Sequence, residues 1–566
     1  MTSRRRHVLV IAIVSSLGAA CDDESRDADV DVDADVDEGA EVGPADADDG
    51  SDGIDDVPDA MADSLGDAAT DACTTTDCAG PVWVPCPLYY DQPDGTPAEC
   101  TTIDVPLRWS KPDGPTLGVF VQRLRGSDAP ARGQLWLLNG GPGGSGADYD
   151  SWMEAYRAVD PTLDLYTVDH RGTGRSARLS CPDQEAGASD SGFYLTAAET
   201  GPCHDALAAE WGDDLAEFTT TAAARDLGRL MERTAEPGQV VFVYGASYGT
   251  DWAHRFLQLF PDRVSGVVLD SIAPPNEDFV DYDRAFDAVG RDFMDLCAAD
   301  PVCGDKLGRH PWERLGALLR AVADGHCAAL TEPWGLDAFG VGSLLANMLM
   351  NVETRTYIPA IVYRLDRCDA ADVAALEHLL TVIFGDAEVG YYDTLGSDAL
   401  FYNVALSELW PNEHPTQAAV AETAADLYIS TGLTSEIAAS QDGWPPYPDD
   451  AYVGAWADTG TPLLMMNGDL DPQTPFASAS QMAPHFTRPH QTFVRVPRAA
   501  HAVTVRTPVA DGEVQCGLRI MLSFLADPSA EPDLGCIASI PAESFVGDPE
   551  LNELVLGTRD LWENAP

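Results

Sequence analysis

Three short stretches carry residues whose types and spacing could do chemistry together. Gly245-Ala246-Ser247-Tyr248-Gly249 follows the apolar run 240–244 and opens a helical pattern over 248–259. G-x-S-x-G between a strand and a helix is a nucleophile elbow, a cramped turn that lifts a serine hydroxyl clear of a sheet. Much later come Gly468-Asp469-Leu470-Asp471-Pro472-Gln473-Thr474-Pro475, after an apolar run, and Ala499-Ala500-His501-Ala502-Val503, after another. The order Ser, Asp, His is the one a hydrolase elbow needs. Ser247 would attack a carbonyl, His501 would take its proton, and a carboxylate would orient the imidazole and stabilise its charged form. Asp471 is the carboxylate we favour and Asp469 competes with it. His485 and His490 precede the last strand and suit surface positions.

A tetrahedral intermediate also needs hydrogen-bond donors. Asn139-Gly140-Gly141-Pro142-Gly143-Gly144-Ser145-Gly146 follows a strand and is rich enough in glycine to bring backbone N–H groups against a reacting carbonyl. Gly141 is the first choice of loop donor and Gly140 the second. The N–H of Tyr248, next after the nucleophile, would complete the oxyanion hole. No Lys-Ser/Thr follows the loop, so it does not read as a Walker phosphate loop. Asp169-His170-Arg171-Gly172-Thr173-Gly174-Arg175-Ser176 is a tight turn in which Asp169 and Arg171 are expected to pair and brace the loop. The chemistry is acyl transfer through an acyl-enzyme, which calls for no metal and no organic cofactor.

Such residues must be held at one edge of a sheet. Near-continuous apolar runs at 134–138, 165–168, 240–244, 264–269, 462–467 and 492–496 suit buried parallel strands. Helical patterns such as 221–234 lie between several of them, which predicts an α/β chain. From about 276 to 455 strand signals vanish, and 312–323, 338–350, 370–384 and 415–429 read as helices. The expected fold is therefore an α/β-hydrolase, a mostly parallel central sheet with an inserted helical cap. Its core would fall at 76–275 and 456–545, its cap at 276–455, and a C-terminal tail at 546–566.

The N-terminus reads as an export signal. Residues 1–21 carry Arg4, Arg5 and Arg6, a short apolar stretch, and small residues ending at Cys21. Cys21 is the expected lipidation site, which would anchor an exported protein in the cell envelope by lipid alone. Over 22–72 there are 21 acids, one arginine and no aromatic residue. A segment so acidic and so poor in apolar surface reads as a self-repelling tether, assigned to 22–75. The formal net charge of −60 argues against a nucleic-acid partner. Without Cys21 an even set of twelve cysteines remains, and neighbours make the simplest disulfides: Cys73/Cys78, Cys86/Cys100, Cys181/Cys203, Cys297/Cys303, Cys327/Cys368 and Cys516/Cys536.

Taken together, these pieces resemble the secreted tripeptidyl aminopeptidases and proline-iminopeptidase-like serine peptidases. The resemblance runs from Trp83-x-x-Cys86, Ala98-Glu99-Cys100-Thr101 and Val105-Pro106-Leu107 through NGGPGGSG, DHRGTGRS, TTTAAARDL at 219–227, GASYGT and GDLDPQTP to Cys516 and Cys536. It implies peptide substrates with a free N-terminus, cut in a pocket roofed by the cap, and an acidic cap residue that holds the substrate's α-ammonium. Glu408, in YNVALSELW, is the position the resemblance suggests. The same triad would also serve an esterase or amidase on small substrates, and a non-catalytic surface binding protein on this scaffold is a third reading.

Overall fold

The structure is a computed structural model that describes residues 80–90, 92–185, 194–384, 395–510 and 514–564. The proposed lipidation site Cys21, the acidic segment and the couple Cys73/Cys78 lie outside the described residues.

The chain from Pro81 onward forms one compact unit. Its centre is a nine-stranded sheet: β1 (Val84–Pro87), β2 (Pro97–Pro106), β3 (Thr116–Leu124), β4 (Gly133–Leu138), β5 (Leu163–Val168), β6 (Val240–Ser247), β7 (Gly266–Ile272), β8 (Leu463–Gly468) and β9 (Gln491–Val496), in the order β1-β2-β3-β5-β4-β6-β7-β8-β9. From β5 to β9 every pairing is parallel. β4, β5, β7 and β8 are buried along their whole length, as strands covered on both faces must be. Parallel strands end on the same side, so the loops after β4, β5, β6, β7, β8 and β9 all gather at one edge, the usual place for a site in a sheet of this kind.

The first three strands are antiparallel to their neighbours and were not foreseen from the apolar runs. β2 alternates instead: Ile103 and Val105 are buried while Thr102 and Asp104 are exposed. That is the period-2 pattern of a strand with one wet face.

Between β7 and β8 the described chain is helical, with Pro311–Ala323, Ala338–Leu349 and Ala370–Phe384 among its helices. This layer has its own apolar core, containing Phe286, Phe293, Leu315, Leu345 and Ile358. The helix expected over 415–429 is shorter, Gln417–Ala424. The chain beyond it is drawn off by carboxylates of the helix Tyr282–Ala299. Asp287 accepts from the N–H groups of Tyr428 and Ile429, and Asp283 from those of Thr431, Gly432 and Thr434. Donors satisfied this way no longer need an intrahelical carbonyl.

The segment read as a tail folds onto this layer. Leu556 and Trp562 join its core, Trp562 donates its indole N–H to the Phe545 carbonyl at 2.7 Å, and the buried Arg364 donates to the carbonyls of Asp560, Leu561 and Glu563. Among the described residues five disulfides form: Cys86–Cys100, Cys181–Cys203, Cys297–Cys303, Cys327–Cys368 and Cys516–Cys536.

The expected pairing of Asp169 with Arg171 does not occur. Arg171 is fully buried and grips Asp226 with two bonds, of 2.6 and 2.5 Å, while also donating to the carbonyls of Pro106, Leu107 and Glu217. Asp169 accepts from the Ser145 hydroxyl, the Gly146 N–H and the Arg175 N–H. Both residues lie past the end of β5, in the turn itself, and their side chains serve different partners. Asp169 thereby ties the DHRGTGRS turn to the glycine-rich loop after β4.

Candidate active site

Ser247 ends β6 and caps the helix Tyr248–Leu259 with φ of 56° and ψ of −132°. A side-chain-bearing residue in that region is strained. The sharp turn is possible because its flanks have no side chains: a Cβ on Gly245 would lie 2.2 Å from the Gly249 carbonyl oxygen, and one on Gly249 would lie 2.2 Å from that of Leu138. The pattern G-x-S-x-G is thus dictated by contact distances across the turn.

The glycine-rich loop runs against the same serine. A Cβ on Gly140 would sit 2.8 Å from Ser247 Cβ and 3.2 Å from its Oγ. The N–H of Gly140 is already donated to Asn139 Oδ1 at 2.8 Å, which leaves Gly141 as the loop's candidate donor. Tyr248 is the first helical residue, where backbone N–H groups have no intrahelical acceptor.

His501 and Asp471 are brought together. Nδ1 of His501 lies 3.0 Å from both carboxylate oxygens of Asp471. A carboxylate can only accept, so Nδ1 carries the proton and Nε2 is left as the acceptor. Asp471 is fully buried; its Oδ1 accepts from the N–H groups of Gln473 and Thr474 and its Oδ2 from the Thr474 hydroxyl. Burial alone would raise its pKa, but the His501 charge and the donors of His501 and Thr474 prevail and hold it below the usual carboxylate value. Asp469 points away. It accepts from Arg495 and from the Arg498 N–H.

Ser247 opens on two lobes of one cleft. A cavity of about 470 Å³ is lined by Gly140, Trp152, Ser247, Met350, His501 and Arg506. A smaller one, of about 130 Å³, is lined by Ser247, Tyr248, Glu277, Asp278, Phe279 and Phe401. Gly141 borders both.

Glu408 is not brought to this cleft. Its side chain is only 1% exposed, behind the elbow, where it accepts from the Thr220 N–H at 3.0 Å and the Tyr447 hydroxyl at 2.6 Å, and it lies 3.0 Å from an Arg255 nitrogen. Its charge is spent on Arg255, a cation of the helix that follows Ser247. Two acids that line the smaller lobe, Glu277 and Asp278, were missed. They follow β7 directly, at the sheet edge where ligands bind, and that placement was the available signal. Burial raises the Glu277 carboxyl to about 7, with the neighbouring acids Asp278, Asp281 and Asp471 adding to the effect and the Ser478 hydroxyl opposing it.

Residues 135–303 match the family described as alpha/beta hydrolase fold. The chain is 30% identical over 251 residues to the tripeptidyl aminopeptidase of Streptomyces coelicolor, covering 39% of this chain and 44% of that protein. It is 26% identical over 253 residues to serine protease Hip1 of Mycobacterium tuberculosis, covering 40% and 47%. Over 474 residues it is 27% identical to carboxylesterase B of the same organism, covering 77% and 85%. The chain thus spans less than half the length of the first two. With its sheet order, its elbow and the match of residues 135–303, the chain has the α/β-hydrolase fold and is similar in sequence to tripeptidyl aminopeptidases, to a serine protease and to a carboxylesterase.

Proposed function

We propose that the protein is a serine hydrolase that releases short peptides from free N-termini through an acyl-enzyme. Ser247 is the nucleophile, His501 the base and then the acid, and Asp471 the group that orients and charges the imidazole. The N–H groups of Gly141 and Tyr248 receive the oxyanion. His501 must hand its proton to the departing amine, so the leaving fragment occupies the lobe that His501 lines, and the acyl fragment occupies the other.

The observation that carries the exopeptidase reading is the pair of carboxylates, Glu277 and Asp278, in the lobe opposite His501. A half-buried acid is a poor companion for the carbonyl and methyl groups of a blocked or internal peptide and a good one for an α-ammonium. The sequences of the tripeptidyl aminopeptidases point the same way. The test compares a peptide with its N-acetylated form: the free amine should be cut at least tenfold faster, and equal rates refute the reading.

The second reading is an esterase of small substrates, favoured by the long match to a carboxylesterase. Rapid hydrolysis of simple p-nitrophenyl esters with no peptide cleavage would select it.

We further propose that the protein is exported and held by lipid at Cys21. Five disulfides support an oxidising compartment. No helix among the described residues is long and apolar enough to cross a membrane. Globomycin sensitivity of processing, lost in Cys21→Ser, tests the anchor.

A further inference from the structure

We infer that Arg506 binds a carboxylate carried by the leaving fragment of the substrate. The inference rests on Ser247 and His501 acting as the acyl-transfer pair, because that pairing identifies the lobe into which the leaving fragment departs. Arg506 lines that lobe together with His501. The loop after His501 turns back on itself, the Arg506 N–H donating to the Ala502 carbonyl and the Ala500 N–H to the Arg506 carbonyl, so the arginine stays beside the histidine.

A guanidinium has five N–H donors in a planar fork. Arg506 spends one on the Met350 carbonyl at 3.2 Å, and among the described residues no carboxylate pairs with it. The two acids whose fields reach it are Glu353, which is solvent-exposed, and Asp471, which is committed to His501 and Thr474. Asp148 also borders the lobe, but its carboxylate accepts from Asn139 Nδ2 at 2.6 Å. Burial accordingly outweighs the acids and pulls the Arg506 pKa down, the mark of a cation short of counter-charge. The fully buried arginines Arg171 and Arg355 each hold a carboxylate, Asp226 and Glu543, whereas the half-buried Arg506 holds none among the described residues. A carboxylate arriving in the lobe would meet a fork suited to two parallel bonds.

The acyl lobe then presents the carboxylates of Glu277 and Asp278, and the leaving lobe presents the guanidinium of Arg506 beside an Asp148 that is held by Asn139. A short zwitterionic peptide fits only one way round. The carboxylate comes either from the C-terminus of a short oligopeptide or from an Asp or Glu side chain just after the scissile bond. These share one chemistry.

The experiment uses peptides with one acyl part and three leaving fragments: a free C-terminal acid, its amide, and an amide carrying Asp after the scissile bond. Wild type should cut the acid about tenfold better than the amide, mostly through KM, as one charge-assisted bond predicts. Recovery with the Asp-bearing amide assigns the side chain as the source; no recovery assigns the C-terminus. Arg506→Gln should level the acid and the amide, and Arg506→Lys should keep part of the preference. Equal rates in wild type for all three overturn the inference. So does an acid-to-amide ratio that survives in Arg506→Gln, including a variant that merely slows every substrate alike. If Arg506→Gln does not fold, the wild-type ratio and the lysine variant still decide.

The free-amine against N-acetyl comparison varies only the acyl side, so its failure leaves this result standing. If only esters are hydrolysed, the same comparison is run with leaving alcohols that bear or lack a carboxylate. Electronic differences between leaving groups cancel when wild type is divided by Arg506→Gln.

Discussion

His501 Nδ1 lies 3.0 Å from both oxygens of Asp471, whereas Asp469, two residues earlier on the same turn, is bound to Arg495 and the Arg498 N–H. The two acids therefore have separable roles. Asp471 faces the imidazole, and Asp469 braces the loop that delivers it.

Asp471→Asn should lower kcat by roughly 10³–10⁴-fold, because the amide favours the wrong imidazole tautomer and cannot stabilise the imidazolium. Asp469→Asn loses part of an exposed ion pair, an interaction of about 0–1 kcal/mol, and should retain most activity. Steady-state rates on one peptide or ester decide the ranking, and a larger loss at Asp469 would exchange the two assignments. Ser247→Ala should abolish turnover and fluorophosphonate labelling with an unchanged circular-dichroism spectrum.

Gly249→Ala separates local propensity from packing. Inside a helix the change normally gains about 1 kcal/mol. Here the added Cβ would stand 2.2 Å from the Leu138 carbonyl oxygen, in the strand that supports the glycine-rich loop. Overpacking of this kind costs about 1–3 kcal/mol, so the clash should win and urea denaturation should show a net loss. A net gain would mean the elbow relaxes more easily than its contacts imply.

The buried pair Arg171–Asp226 ties the turn after β5 to the helix Thr220–Thr234, and Trp109 adds a bond to the same carboxylate at 2.9 Å. Asp226→Ala strands a guanidinium without a counter-charge and should cost about 3–5 kcal/mol. Because neither Asp226 nor Arg171 lines the cleft at Ser247, kcat/KM of the folded fraction should hold near wild type. An active-site titration at low temperature measures that fraction. Unaltered stability would show that the carbonyls of Pro106, Leu107 and Glu217 suffice for Arg171.

The parallel half of the sheet was legible because strands covered on both faces read as near-continuous apolar runs, interrupted in β4, β5, β7 and β8 by a few buried polar residues such as Gln134, Asp164, Asp270 and Asn467. The antiparallel edge was not, since β2 alternates exposed Thr102 and Asp104 with buried Ile103 and Val105, and β3 carries the buried polar pair Gln122 and Arg123. Ser247, His501 and Asp471 announced themselves through turns that follow strands. Glu277 and Asp278 did not: their place after β7 was the one signal, and the side chains of P-P-N-E-D-F alone do not tell a solvated acid from one that faces a cleft. Glu408 failed for the converse reason: an acid in a helical segment can be claimed by a distant cation, and Arg255 lies some 150 positions away in sequence. The pairing of Arg171 with Asp226 was hidden in the same way, although both residues lay within motifs already singled out.

Glu277 sets a pH dependence whose direction distinguishes substrate recognition from the chemical step. Its carboxyl, raised to about 7 chiefly by burial, is ionised above that pH and neutral below it. Only the ionised form attracts an α-ammonium, so kcat/KM for a free-amine peptide should fall as pH drops through about 7. It should fall again above about 8, where the substrate's own amine loses its proton. In the complex the ammonium favours the carboxylate, so kcat should show this low-pH limb displaced downward or absent. An N-acetylated substrate has no ammonium to lose and should lack the upper limb. Glu277→Gln should raise KM for the free-amine peptide about tenfold, as loss of one charge-assisted contact predicts, while leaving the acetylated substrate unaffected. Identical pH profiles for the two substrates in wild type would remove Glu277 from recognition and leave it a buried partner of Ser478.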